Sequence, residues 1–204
     1  MSKHNMNITI ESLLAAMKAN NYLIFKGELN LNIIGIRNNN TRANSFNDVM
    51  CLLYQQNGQW QLQQYKCTTD PGTYYRKHPL NVDGTAIVVP MQHRSLWTFG
   101  THQGKYPALV QNKPITVFRD GNKDDTIDTD VNHISTQKGY FGINCHRANA
   151  LRESTQVDKW SAGCQVFAKP DDFDEFLQLC LESAPTWGKT FTYTLLEQQQ
   201  LEHT

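Results

Sequence analysis

The segment 49–65 constrains the fold more than any other part of the chain. Val49-Met50-Cys51-Leu52-Leu53-Tyr54 and Gln59-Trp60-Gln61-Leu62-Gln63-Gln64-Tyr65 flank Gln55-Gln56-Asn57-Gly58. Asn and Gly accept the positive φ angles of a tight two-residue turn, so this stretch reads as a β-hairpin. Residues 68–75, with Pro71-Gly72, read as a turn leading into another strand. Short strand-like runs follow at 85–89, 96–99, 108–110, 115–118 and 141–146, separated by polar loops. After residues 164–167, Pro170 suits a first helical position, with Asp171 and Asp172 favoured by the helix dipole. Phe173, Phe176, Leu177 and Cys180 then form one apolar helical face, which Pro185 and Gly188 should end. Residues 190–196 alternate as a closing strand. The expected fold is mainly β, a mixed sheet forming a sandwich or barrel, with one packed helix.

Residues 1–47 read as a small α/β extension. Ile10, Leu13, Leu14 and Met17 keep helical spacing until Asn20-Asn21, and 22–25 and 33–36 are short strand candidates. The polar run 37–42 is the best linker candidate, and 197–204 reads as a frayed tail. The expected layout is therefore an extension (1–47), a β-rich domain (48–196) and a tail.

A chain of 204 residues can bury a sizeable core without staples. Lys+Arg and Asp+Glu both number 19, and this balance argues against a nucleic-acid or anionic-membrane partner. No run of 18 apolar residues exists, and Met1-Ser2-Lys3-His4-Asn5-Met6-Asn7 lacks the apolar core of a signal peptide. The expectation is a protein made in the cytoplasm that reaches any other site by a route it does not encode. Cysteines at 51, 67, 145, 164 and 180 are odd in number and lack CxxC spacing. A complete disulfide framework is excluded, and a metal cluster is not indicated.

The chemistry concentrates in Tyr140-Phe141-Gly142-Ile143-Asn144-Cys145-His146-Arg147 and Trp160-Ser161-Ala162-Gly163-Cys164-Gln165-Val166. A thiol needs a neighbouring base to become a good nucleophile. A histidine at one strand end can face a cysteine on an adjacent strand, which pairs His146 with Cys164. Strand alternation then turns Cys145 to the opposite face and into the core. Gly163 lets a substrate carbonyl approach the backbone, and the Gly163 and Cys164 amides could donate to an oxyanion. Ser161 reads as a partner of the imidazole or as a holder of the turn. No acidic orienter is evident, Asp158 being the nearest carboxylate. Arg147, Trp160 and Tyr140 are the substrate-side candidates, although packing around the site is the favoured reading of Trp160 and Tyr140. His102, in Gly100-Thr101-His102-Gln103-Gly104, reads as a loop residue, with substrate contact as the alternative.

This H-x14-S-x-G-C arrangement resembles the L,D-transpeptidase (YkuD-type) catalytic domain, which acts on peptide stems of bacterial peptidoglycan. The hairpin, Thr69-Asp70-Pro71-Gly72-Thr73-Tyr74 and the strand–helix–strand order of 164–196 are also similar to that family, so the likeness spans about three-quarters of the chain. The resemblance implies Cys164 as nucleophile, His146 as base, and Gly163 and Ser161 as shapers of the oxyanion site, with no cofactor. Two positions depart from the family pattern: Arg147 stands where Gly is usual, and Gln165-Val166 where an aliphatic residue and Arg are usual. Arg147 or Arg152 is the candidate replacement for that Arg. The lack of a leader suits a bacteriophage lysin acting hydrolytically on the wall. A wall-binding module without turnover, or a calcium-organised structural protein, is the alternative.

The calcium alternative rests on Asp120-Gly121-Asn122-Lys123-Asp124-Asp125-Thr126-Ile127-Asp128, with oxygen ligands at loop positions 1, 3, 5 and 9. Position 6 is Asp125 where Gly is wanted, and position 12 is Val131 where Glu is wanted. A solvated acidic loop is the favoured reading.

Overall fold

The computed structural model describes residues 6–40, 44–130 and 134–202. In chain order the elements are α1 (Ile10–Ala19), β1 (Asn32–Arg37), β2 (Asp48–Gln56), β3 (Gln59–Thr68), α2 (Thr73–Lys77), β4 (Thr85–Val88), β5 (Gln92–His102) and β6 (Tyr106–Gln111). They continue with β7 (Ile115–Asp120), β8 (Thr136–Gly139), β9 (Cys145–Arg147), β10 (Gln165–Phe167), α3 (Pro170–Trp187), β11 (Thr190–Glu197) and α4 (Gln199–Glu202). Eight strands close a barrel in the order β1-β11-β5-β6-β9-β10-β3-β2, and β4-β7-β8 form a second, three-stranded sheet. The mainly β expectation is met.

The hairpin forms as read: β2 and β3 pair from Asp48↔Cys67 to Gln56↔Gln59 around Asn57 (φ 52°) and Gly58 (φ 75°). α1 also forms as read, with Thr9 and Ser12 exchanging side-chain and backbone bonds in a capping box and Asn20 closing its end. Its Leu13, Ala16 and Met17 pack on Ile34, Ile36, Cys51, Leu53 and Leu196.

Several expectations are corrected. Residues 1–47 are not an appendage, because β1 pairs in parallel with β11 and antiparallel with β2 and so closes the barrel. Residues 22–25 form no strand; the Asn32 side chain exchanges hydrogen bonds with the Phe25 backbone instead. Part of the supposed 37–42 linker lies outside the described residues, and Arg37 itself is buried in an ion pair with Asp70 at 2.8 Å. Residues 73–77 are a helical turn rather than a strand. α3 runs through Pro185 to Trp187 and ends at Gly188, since a proline in the last turn removes only one donor. The described part of the tail is docked: the Gln198 N–H donates to Arg37 O at 2.8 Å and Gln200 Nε2 to Asn20 Oδ1 at 2.9 Å.

The main core joins the barrel interior (Met50, Leu52, Trp97, Leu109, Tyr193, Leu195) to Phe167 and to Phe173, Phe176 and Cys180 of α3. Ala86, Val88, Ile115 and Val117 bring the small sheet onto the same core. That contact makes one wall of the site.

Candidate active site

The 141–146 run forms a strand only at Cys145–Arg147. The physical reason is a side chain: Gln111 Oε1 accepts from the Phe141 and Ile143 N–H groups, both at 3.0 Å, and Gln111 Nε2 donates to Gly139 O. Trp97 Nε1 fixes the Ile143 carbonyl at 2.9 Å. The backbone here is satisfied by side chains and so joins no ladder until Asn144 O accepts from Gln165 N at 2.9 Å.

β9 and β10 are parallel neighbours, with Cys145 opposite Gln165 and His146 opposite Val166. Alternation sends Cys145 and Gln165 inward, and both are fully buried. Asn144, His146 and Cys164 share the other face, and all three line one cavity of about 410 Å³. That volume is typical of a small-ligand site.

The His146 ring is oriented by a carbonyl. Nδ1 lies 2.8 Å from Arg147 O and 3.2 Å from the Tyr106 hydroxyl, which itself donates to Arg147 O at 3.0 Å. A carbonyl can only accept, so Nδ1 carries the proton and Nε2 presents its lone pair. That Nε2 is buried and has no hydrogen-bond partner among the described residues. Burial first, then His102 and Arg147, push the His146 pKa down to about 3. The ring is a neutral base. Asp158 takes no part in orienting it, bonding instead to Asn44.

The Cys164 thiol lies 3.4 Å from Gly142 O, to which it donates, and accepts from Asn144 N–H at 3.4 Å. Burial pushes its pKa up to about 11, against the lowering effect of the Asn144 N–H. Thiol and imidazole therefore both rest uncharged, and among the described residues no hydrogen bond joins them.

The cysteine turn is held from below. Ser161 Oγ accepts from Gly163 N–H at 3.1 Å and donates to Cys164 O at 2.8 Å, so Ser161 holds the turn. The Gly163 amide is thereby occupied and is withdrawn from the expected oxyanion site. The Cys164 amide has no hydrogen-bond partner among the described residues. Gly163 has φ 128°, and a Cβ there would sit 2.7 Å from Ala86 O of the small sheet. Only glycine fits. Gly72 N–H donates to Ser161 O at 3.0 Å, which ties the 69–72 turn to the cysteine turn.

Of the substrate-side candidates, Trp160 lines the cavity. Arg147 turns away, its guanidinium 4.1 Å from the Tyr106 ring centroid, and Tyr140 is exposed outside the lining. Arg152 is not a lining residue either. Gln165 is explained by the barrel interior, where its Oε1 accepts from the Tyr193 hydroxyl at 2.6 Å and its Nε2 donates to Thr69 O and Gly163 O. Val166 packs with Phe46, Ala148, Val157 and Ala168.

Sequence reasoning missed Tyr106, Asn144 and Arg119. Among the described residues, Arg119 and Lys159 are the cations of the lining, which holds no carboxylate. Arg119 lies on β7, remote in sequence from the motif, and nothing local signalled it. His102 ends β5 rather than lying in a loop, and its ring stacks on His146 at 3.7 Å between centroids and 20° between planes.

The acidic loop folds around a guanidinium. Buried Arg76 pairs with Asp120 through Nη1 and with Asp124 through Nη2 at 3.2 Å. Asn122 Nδ2 donates to Asp124 and Asp128. Among the described residues no group of three or more His, Cys, Asp or Glu side chains is placed to hold a metal ion. Val131 lies outside the described residues. No described helix is long and apolar enough to cross a membrane.

Compared with known proteins, the chain matches no family model, no curated protein and no solved structure.

Proposed function

We propose that the protein is a cysteine-dependent acyltransferase of the L,D-transpeptidase kind, acting on peptide stems of bacterial peptidoglycan. The observation that carries this reading is the buried lone pair of His146 Nε2, left without a partner on the cavity that also receives the Cys164 thiol. A buried polar atom without a hydrogen bond costs about 1–3 kcal/mol, and a site that transfers a proton gives that cost a purpose.

As a peptide carbonyl enters, the thiol proton passes to His146 Nε2 while sulfur bonds to the carbonyl carbon. The Cys164 N–H donates to the developing oxyanion. The C–N bond then breaks, and the proton on Nε2 goes to the departing amine, leaving a thioester on Cys164. Water or an acceptor amine releases the acyl group, and the thiol and the neutral imidazole are restored. Because thiol and imidazole rest uncharged, attack and proton transfer are coupled. The carboxylate-free lining with Arg119 and Lys159 suits a peptide bearing carboxylates, as peptidoglycan stems do.

Digestion of purified sacculi tests this, with released or cross-linked muropeptides identified by mass. The wild type changes the muropeptide profile and Cys164→Ala does not. An unchanged profile with the wild type contradicts the reading.

A further inference from the structure

The oxyanion site described above has one backbone donor where two are usual, because Ser161 Oγ occupies the Gly163 N–H. The structure offers a replacement among the residues lining the same cavity. Gln111 N–H reaches the Asn144 side chain at 3.1 Å, and since an amide N–H can only donate, the atom it meets is Oδ1. Asn144 therefore turns its Nδ2 toward His102 Nδ1, at 3.3 Å. Both hydrogens of Nδ2 are donors, so His102 Nδ1 must accept. In a neutral imidazole the proton then sits on Nε2, which makes no hydrogen bond among the described residues.

The geometry points to His102 Nε2–H as the second hydrogen-bond donor to the substrate carbonyl and its oxyanion. This rests on the acyl-transfer reading above. His102 lines the same cavity as Cys164, and its ring covers a face of His146. Burial and Lys105 lower the His102 pKa, which keeps the ring in its neutral, singly protonated form. No proton leaves Nε2 during the reaction: the bond to the oxyanion shortens as the sulfur–carbon bond forms and relaxes when the amine departs. Asn144 thus serves two ends of the chemistry, its backbone N–H touching the sulfur and its side chain setting the tautomer of the donor.

Two variants separate donation from stacking. His102→Phe keeps a ring over His146 and removes the N–H, whereas His102→Gln keeps a terminal N–H near the Nε2 position and removes the ring. Each is compared with wild type in two reactions of Cys164. One is single-turnover acylation by a disaccharide-tetrapeptide, read as a mass shift; the other is alkylation by iodoacetamide, which builds no oxyanion. His102→Phe is expected to lower acylation by roughly 100-fold, the usual cost of one oxyanion donor, and to leave alkylation unchanged. His102→Gln is expected to recover a substantial part of that loss. The assignment is overturned if His102→Phe acylates at the wild-type rate, if acylation and alkylation fall together, or if His102→Gln is as slow as His102→Phe. Absence of an adduct with the wild type removes the acyl-transfer reading itself, and this role with it.

Discussion

Two clusters of ionisable residues invite a chemical reading, and they are built in opposite ways. Around Arg76, Asp120 and Asp124 the charges meet one another, and Asp128 N–H also donates to Asp120. His146 and Cys164 themselves rest uncharged. Both clusters hold a buried atom without a partner among the described residues, Arg76 Nε in one and His146 Nε2 in the other. In the guanidinium it is one donor of five on a group otherwise engaged; in the imidazole it is the only lone pair of the ring. A buried charge with a built-in counter-charge holds a loop, whereas an unpartnered nitrogen on a cavity-lining imidazole keeps its lone pair free.

The largest expected effect is on the catalytic side. His146→Gln should lower muropeptide turnover by about 10²–10⁴-fold, the range for a general base, with a thermal melt close to wild type. Loss of the fold rather than the rate would place His146 with Arg76 as a structural group. Next comes Arg76→Gln, which strands a buried carboxylate and should cost about 3–5 kcal/mol in urea unfolding. Wild-type melting should be indifferent to calcium and to chelator, because the guanidinium already supplies the loop's cation; a calcium-dependent rise in Tm would break the contrast.

The pH profile of the thiol sharpens it further. With a pKa near 11, about one Cys164 in 10⁴ is a thiolate at pH 7, so alkylation should climb roughly tenfold per pH unit from 7 to 10. A rate already at its plateau at neutral pH would indicate a resting ion pair instead. The smallest effect is assigned to Tyr106→Phe. It removes the hydroxyl bonded to Arg147 O but leaves that carbonyl to orient the ring, and turnover should fall by about tenfold or less, in line with one hydrogen bond of about 1 kcal/mol.

Local signals made the hairpin, α1 and α3 legible, since Asn57-Gly58, the spacing of Ile10, Leu13, Leu14 and Met17, and Pro170 with its following acids act over a few residues. The pairing of the His146 and Cys164 strands was also readable, because spacing and alternation fix which side chains share a face. What stayed hidden depends on long-range closure. β1 looked like an appendage because its partner β11 lies about 160 residues away in sequence, and Phe141 to Asn144 looked like a strand because the competing acceptor is the side chain of Gln111. The acidic loop suggested calcium because Arg76, the cation that organises it, lies 44 residues upstream of Asp120. Arg119 reaches the cavity from the second sheet by the same kind of non-local packing.

The central claim is that the Cys164 sulfur becomes acylated by a cell-wall peptide with His146 as the proton acceptor. Acid-quenched mixtures with a disaccharide-tetrapeptide, followed by peptide mapping of the intact adduct, test it directly. A thioester on Cys164 in the wild type, strongly reduced in His146→Gln and absent in Cys164→Ala, is the predicted result. A wild-type protein that carries no adduct, or carries it on another residue, would contradict the account.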